Sequence, residues 1–95
     1  MKKVDLTKIE FSNVEGKKEL VNIAPSIGNA LYMGRSIVES ELGSKVYHSA
    51  DPMKIDKNAD CTIELSDEEA KMVYDCVKNV FGYVICNAVK DALGL

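Results

Sequence analysis

The chain has 95 residues, 46% of them apolar, with 12 Lys+Arg against 15 Asp+Glu, three Cys, one His and no Trp. That length is expected to hold one domain, residues 1–95, because a second stable core would need roughly another 50 residues. A charged fraction of 28% excludes disorder throughout, and a net charge of −3 argues against a phosphate-binding protein, whose affinity comes from clustered cations.

Residues 4–24 read as a hairpin. Ile9 and Phe11 alternate with Lys8, Glu10 and Ser12, a turn follows at Glu15-Gly16-Lys17, and Leu20 to Ile23 resumes the apolar signal. A loop of one residue on each side of Gly16 places Phe11 opposite Val21 and Ile9 opposite Ile23. Val4 and Leu6 have the opposite parity, so a bulge or break is expected near Thr7.

Pro25 suits a helix start, and the spacing of Ile27, Leu31, Val38 and Leu42 predicts one helix as far as Leu42, with Gly43 as its stop. Ser26, Ala30 and Gly34 form a line of small residues at i, i+4, i+8 that suits close approach of another element. Val46-Tyr47 can add a helical turn before Asp51-Pro52 breaks it. From Asp51 to Glu69 seven acids face two lysines, the chain's one pronounced charge imbalance.

Cys61 to Leu65 reads as a short strand with Ile63 and Leu65 inward. Ser66-Asp67-Glu68-Glu69 carries a capping-box signature, with acid in the first turn where the helix dipole favours it. The apolar positions Ala70, Val73, Val77, Val80 or Phe81, Val84, Ala88 and Ala92 keep a 3.6-residue period for over six turns. One continuous helix is the first expectation over that span. A kink at Gly82 and a buried strand over 80–86 are the alternatives.

Candidate chemistry is sparse. Asp56, Asn58, Asp60 and Asp67 match oxygen positions of a calcium loop over 56–67, but Cys61 stands where glycine is needed and Asp67 is shorter than the usual glutamate. His48, Ser49 and Asp51 lie too close together in sequence to wrap into a nucleophile–base–orienter geometry. Gly28 and Gly34-Arg35-Ser36 miss the spacing of a phosphate loop. Tyr32, Tyr47, Tyr74 and Tyr83 could stack on bases but are not interleaved with cations, and helical spacing assigns Tyr74 and Tyr83 to packing. Cys61, Cys76 and Cys86 lack CxxC spacing, and their odd number fits a reducing compartment. Lys2 and Lys3 precede no apolar stretch of signal-peptide length, and none reaches the roughly 20 residues of a membrane span, so a cytoplasmic location is expected.

The opening Lys2-Lys3-Val4-Asp5-Leu6-Thr7-Lys8-Ile9, the run Ile27-Gly28-Asn29-Ala30-Leu31-Tyr32, the Leu65-Ser66-Asp67-Glu68-Glu69-Ala70 cap and the closing Ala88-Val89-Lys90-Asp91-Ala92-Leu93 together resemble small uncharacterised proteins of bacterial prophages and mobile elements. The resemblance implies a compact accessory protein for assembly or regulation, and it carries no site residue.

The expected fold is α+β, an N-terminal hairpin and a short third strand packed against two or three helices. No enzymatic activity, cofactor or metal is expected. So long a stripe on a short chain points to a homo-oligomer or protein-partner interface carried by Val73, Val77, Phe81, Val84 and Ala88. The alternatives are a nucleic-acid-binding regulator using residues 1–18 and a calcium-binding loop at 56–67.

Overall fold

The computed structural model describes residues 1–95 and has an α+β architecture, two small antiparallel ribbons packed against four helices. Strand β1 (Lys2–Val4) pairs with β4 (Ile63–Leu65) across some sixty residues of chain, with Lys2 opposite Leu65 and Val4 opposite Ile63. Val4 and Leu65 face the core, and Lys3 and Glu64 stand opposite each other on the outer side. The short strand expected over Cys61 to Leu65 is this β4, three residues long and beginning at Ile63 rather than Cys61. The expected break near Thr7 is present. Asp5 Oδ1 accepts from the Thr7 N–H at 2.9 Å and from Thr7 Oγ1 at 2.5 Å, and this Asx turn reverses the parity between Val4 and Ile9.

Strands β2 (Ile9–Ser12) and β3 (Lys18–Val21) form the hairpin in a register two residues from the expected one: Ile9 faces Val21 and Phe11 faces Glu19. Asn13 decides this. Its Oδ1 accepts from the N–H groups of Glu15 and Lys17, its own N–H donates to the Lys17 carbonyl, and Gly16 takes φ +79° at the third loop position. A three-residue loop with glycine in the left-handed region is a favoured hairpin geometry. Because the slip is two residues, parity survives and Ile9 keeps its inward face. Ile23 leaves the strand, donates to the Leu6 carbonyl at 3.0 Å and caps the next helix.

One helix from Pro25 to Leu42 does not form. The segment is α1 (Ala24–Tyr32) and α2 (Ile37–His48), folded into a helical hairpin. Ser36 starts α2, its Oγ accepting from the Glu39 N–H at 3.1 Å. Gly43 is no stop but lies buried in mid-helix against α1. A Cβ on Gly43 would stand 2.6 Å from the Gly28 carbonyl oxygen, and one on Gly28 would stand 2.5 Å from the Tyr47 nitrogen. The two glycines thus let the helix backbones touch, while Ser26 and Ala30 of the anticipated small-residue line face solvent. Val38 is also exposed, because the turn rotates it off the Ile27–Leu31 stripe.

After a 3-10 turn (Asp51–Lys54) and β4, helix α3 (Asp67–Val80) opens with the full capping box. Ser66 Oγ accepts from the Glu69 N–H and Glu69 Oε1 accepts from the Ser66 N–H. The long helix then breaks at Phe81 and Gly82, both extended, and restarts as α4 (Tyr83–Ala92). The β-rich run Val80–Cys86 has weak helical preference. The break allows α4 to turn back over β2, burying Val89 and Leu93. Cys86 Sγ then points at the Phe81 carbonyl left unpaired at the end of α3, at 3.4 Å.

One core cluster joins Val4, Leu6, Ile9 and Leu65 of the strand layer to Ile27 and Leu31 of α1, Leu42 and Val46 of α2, Val73 and Val77 of α3 and Val89 of α4. Each fully buried aliphatic side chain stabilises by about 1.5–3 kcal/mol relative to exposure. Lys45 ties three elements together, donating to the Glu64 carbonyl of β4 at 2.5 Å and standing 3.6 Å from Glu69 of α3.

Candidate functional site

The five residues of the expected interface do not share a surface. Val73 and Val77 are wholly enclosed by the chain's own core, packed among strand-layer and α1 residues, so neither can meet a partner in this fold. Phe81 and Ala88 are half-buried against that core, and Val84 alone is exposed, at 52%. The break at Phe81–Gly82 splits the stripe: its α3 part, Val73 and Val77, is covered within the chain, while α4 buries Val89 and Leu93 and leaves Val84 and Ala92 exposed. Tyr83, assigned to packing by its spacing, is 80% exposed at the start of α4, whereas Tyr74 packs against the core under Lys78, whose Nζ is 5.0 Å from the ring centroid.

Exposed apolar surface lies instead at the turn between α1 and α2. Met33 and Ile37 are 75% and 77% exposed, and Val38 and Tyr32 are exposed beside them. One side of this turn borders a groove of about 450 Å³ walled by Leu31, Met72, Cys76 and Val80, with Glu39 and Asp75 at its rim. The Cys76 thiol has its pKa raised by burial and further by the nearby Glu39 charge, which makes it a poor nucleophile at neutral pH. On the far side, Tyr32 and Ile37 border a shallow groove with Arg35, Ser40 and Glu41.

A third groove, about 320 Å³, runs over the glycine contact between α1 and α2. It is lined by Gly28, Asn29 and Tyr32 from α1 and by Ser44, Tyr47 and His48 from α2. His48 Nδ1 is 2.9 Å from Asp51 Oδ2, and Lys54 Nζ is 3.3 Å from Asp51 Oδ1. The His48 hydrogen bond, then Lys54, holds the Asp51 carboxyl below its ordinary pKa. Tyr47 meets the imidazole edge-on, with centroids 5.3 Å apart. Ser49 is buried and donates to the Val46 carbonyl at 2.6 Å, so the His48–Asp51 pair has no nucleophile from its sequence neighbour.

The calcium-loop acids are spent locally. Asp56 Oδ1 accepts from the Asn58 N–H, and Asp60 Oδ1 accepts from Thr62 N–H and Oγ1, bonds that hold the Asp60 carboxyl below its ordinary pKa. Asp67 sits in the first turn of α3, and no three His, Cys, Asp or Glu side chains converge on one point anywhere in the chain. Among the N-terminal cations, Lys8, Lys17 and Lys18 each stand within 3.8 Å of Asp5, Glu15 or Glu10. The three cysteines are free thiols. No helix is long and apolar enough to cross a membrane.

The α1–α2 grooves were partly visible in the residue pattern. Ser36-Ile37-Val38-Glu39 repeats the S-x-x-E signature of Ser66–Glu69, which marks a helix start and hence a turn before it. The pairing of Gly28 with Gly43, fifteen residues apart, has no local signature.

No protein-family model matches the chain, and no curated protein and no solved structure matches it either.

Proposed function

We propose that this protein is a non-enzymatic interaction module that works by protein–protein contact, as a homo-oligomer in the cytoplasm, in an accessory assembly or regulatory role of the kind found on mobile elements. The observation that supports this reading is the cluster Met33, Ile37 and Val38, large apolar side chains presented to solvent at one turn beside an apolar groove. Exposed apolar surface of this kind on a small chain is characteristic of a contact site. A second copy is the occupant this reading names, because burial of that turn supplements a core that a chain of 95 residues keeps small. The experiment is sedimentation velocity across a concentration series. A dimer is expected at tens of micromolar, converting to monomer in the double variant Ile37→Asp, Val38→Asp with its helical circular dichroism unchanged. A monomer at the highest concentration, or a dimer that ignores both substitutions, overturns the reading.

A further inference from the structure

We propose that the groove over the Gly28–Gly43 crossing binds one flat heteroaromatic ring of the nucleobase class between Tyr32 and Tyr47. The placement of the two tyrosines carries this. Tyr47 sits against Gly28, and Tyr32 sits against Gly43, where a Cβ would be 2.7 Å from the Tyr32 Cα. In this antiparallel pair each tyrosine is one helical turn from the glycine on its own helix, so the two tyrosine Cα atoms are offset along the groove by about 6 Å. A flat ring held at van der Waals distance from an aromatic on each side needs about 7 Å. Tyrosines rooted that far apart on facing helices leave room for a single ring layer between them, and both border the same groove, with Tyr32 56% and Tyr47 44% exposed.

The remaining lining supplies an edge for such a ring. Asn29 offers an amide donor and acceptor side by side, Ser44 a hydroxyl, and His48 an imidazole whose orientation is set. Because the Asp51 carboxylate only accepts, Nδ1 of His48 is the donor in that hydrogen bond, and Nε2 is the ring atom left for a ligand. The groove holds no free cation for a phosphate. His48 is engaged by Asp51, and Lys54 by the same carboxylate. Recognition within this groove is thus of the ring, by stacking and edge hydrogen bonds. This inference does not depend on oligomerisation through Ile37 and Val38.

The test is a two-dimensional NMR titration of the full chain with adenosine, uridine, adenosine 5′-monophosphate and a short single-stranded oligoadenylate. Saturable shifts confined to Gly28, Asn29, Ser44, His48 and the two tyrosines are expected for at least one nucleoside at low millimolar concentration. The monophosphate should bind no tighter than adenosine. Tyr32→Ala should weaken binding about five- to 150-fold, the range of one stacking contact, while Tyr32→Phe keeps it within about threefold. Tyr47→Ala should weaken binding likewise, and should it unfold the chain, Ser44→Met, which fills the groove from α2 with both tyrosines kept, should abolish the shifts. An oligonucleotide that binds the same residues more tightly than the nucleoside, without salt dependence, identifies the source as a nucleic-acid base. The proposal is overturned by an absence of saturable shifts with all four probes, by shifts centred elsewhere, or by a monophosphate that binds far more tightly than adenosine.

Discussion

In the α1–α2 pair the helices meet backbone to backbone. Gly28 and Gly43 leave no room for a Cβ, the turn between the helices is set by the Ser36 cap, and Ser40 Oγ donates across to the Tyr32 carbonyl at 2.9 Å. In the α3–α4 pair the connection is two extended residues, a Cβ on Gly82 would meet nothing within 4 Å, and the halves are joined through side chains such as Phe81, Cys86 and Val89. The first break is imposed by close packing, the second by weak local helical preference. Both interrupt an apolar stripe with an unbroken 3.6-residue period and leave Val38 and Val84 of it exposed, so a stripe marks neither where its helix ends nor which side chains beyond the break go inside.

The largest effect is expected along the α3–α4 stripe. Val77→Asp puts an unpaired charge into the core and should leave no cooperative unfolding transition, whereas Val84→Asp, on the same nominal stripe, should stay within about 0.5 kcal/mol of the parent in urea. Equal damage from the two would mean that the stripe is one continuous buried face after all. Next is the contrast between the glycines. Gly43→Val forces the helix backbones apart and should cost about 3 kcal/mol. Gly82→Ala, at a φ of −79° with open space around it, should be neutral or stabilise by about 0.5 kcal/mol through the unfolded chain. A costly Gly82→Ala would show that the second junction is also sterically set.

The two serine caps give a smaller contrast. Ser66→Ala removes one half of a reciprocal box and should cost about 1 kcal/mol. Ser36→Ala should cost about half as much, since Glu39 Oε1 reaches only the Ser36 hydroxyl and does not return a bond to its backbone. The smallest effect is in acid. The Ser66 N–H, and then Lys45, hold the Glu69 carboxyl below its ordinary pKa against an opposing burial effect. A folded pKa below the unfolded one stabilises fully above the ordinary glutamate value of about 4.3 and is lost as the pH falls through the folded value. Melting temperatures between about pH 6 and about pH 3 should therefore fall less steeply for Glu69→Gln than for the parent. Parallel slopes would remove Glu69 from the acid response.

The residue pattern alone determined what lies within one turn of chain. The Ser66–Glu69 box names both its partners in four residues, Pro25 sits in the first turn of α1, and Asp5-Leu6-Thr7 reverses parity where Val4 and Ile9 require it. The tyrosines of the α1–α2 groove were visible as stacking candidates, but the groove itself was not, because Gly43 looks like a helix stop until Gly28 is brought against it. Only the tertiary structure decided the pairing of β1 with β4, the split of each apolar stripe and the enclosure of Val73 and Val77. The physical reason is separation along the chain. A cap or an Asx turn closes its hydrogen bonds between near neighbours, whereas the exposure of an apolar residue depends on elements tens of residues away, whose approach is set by small residues that carry no period of their own.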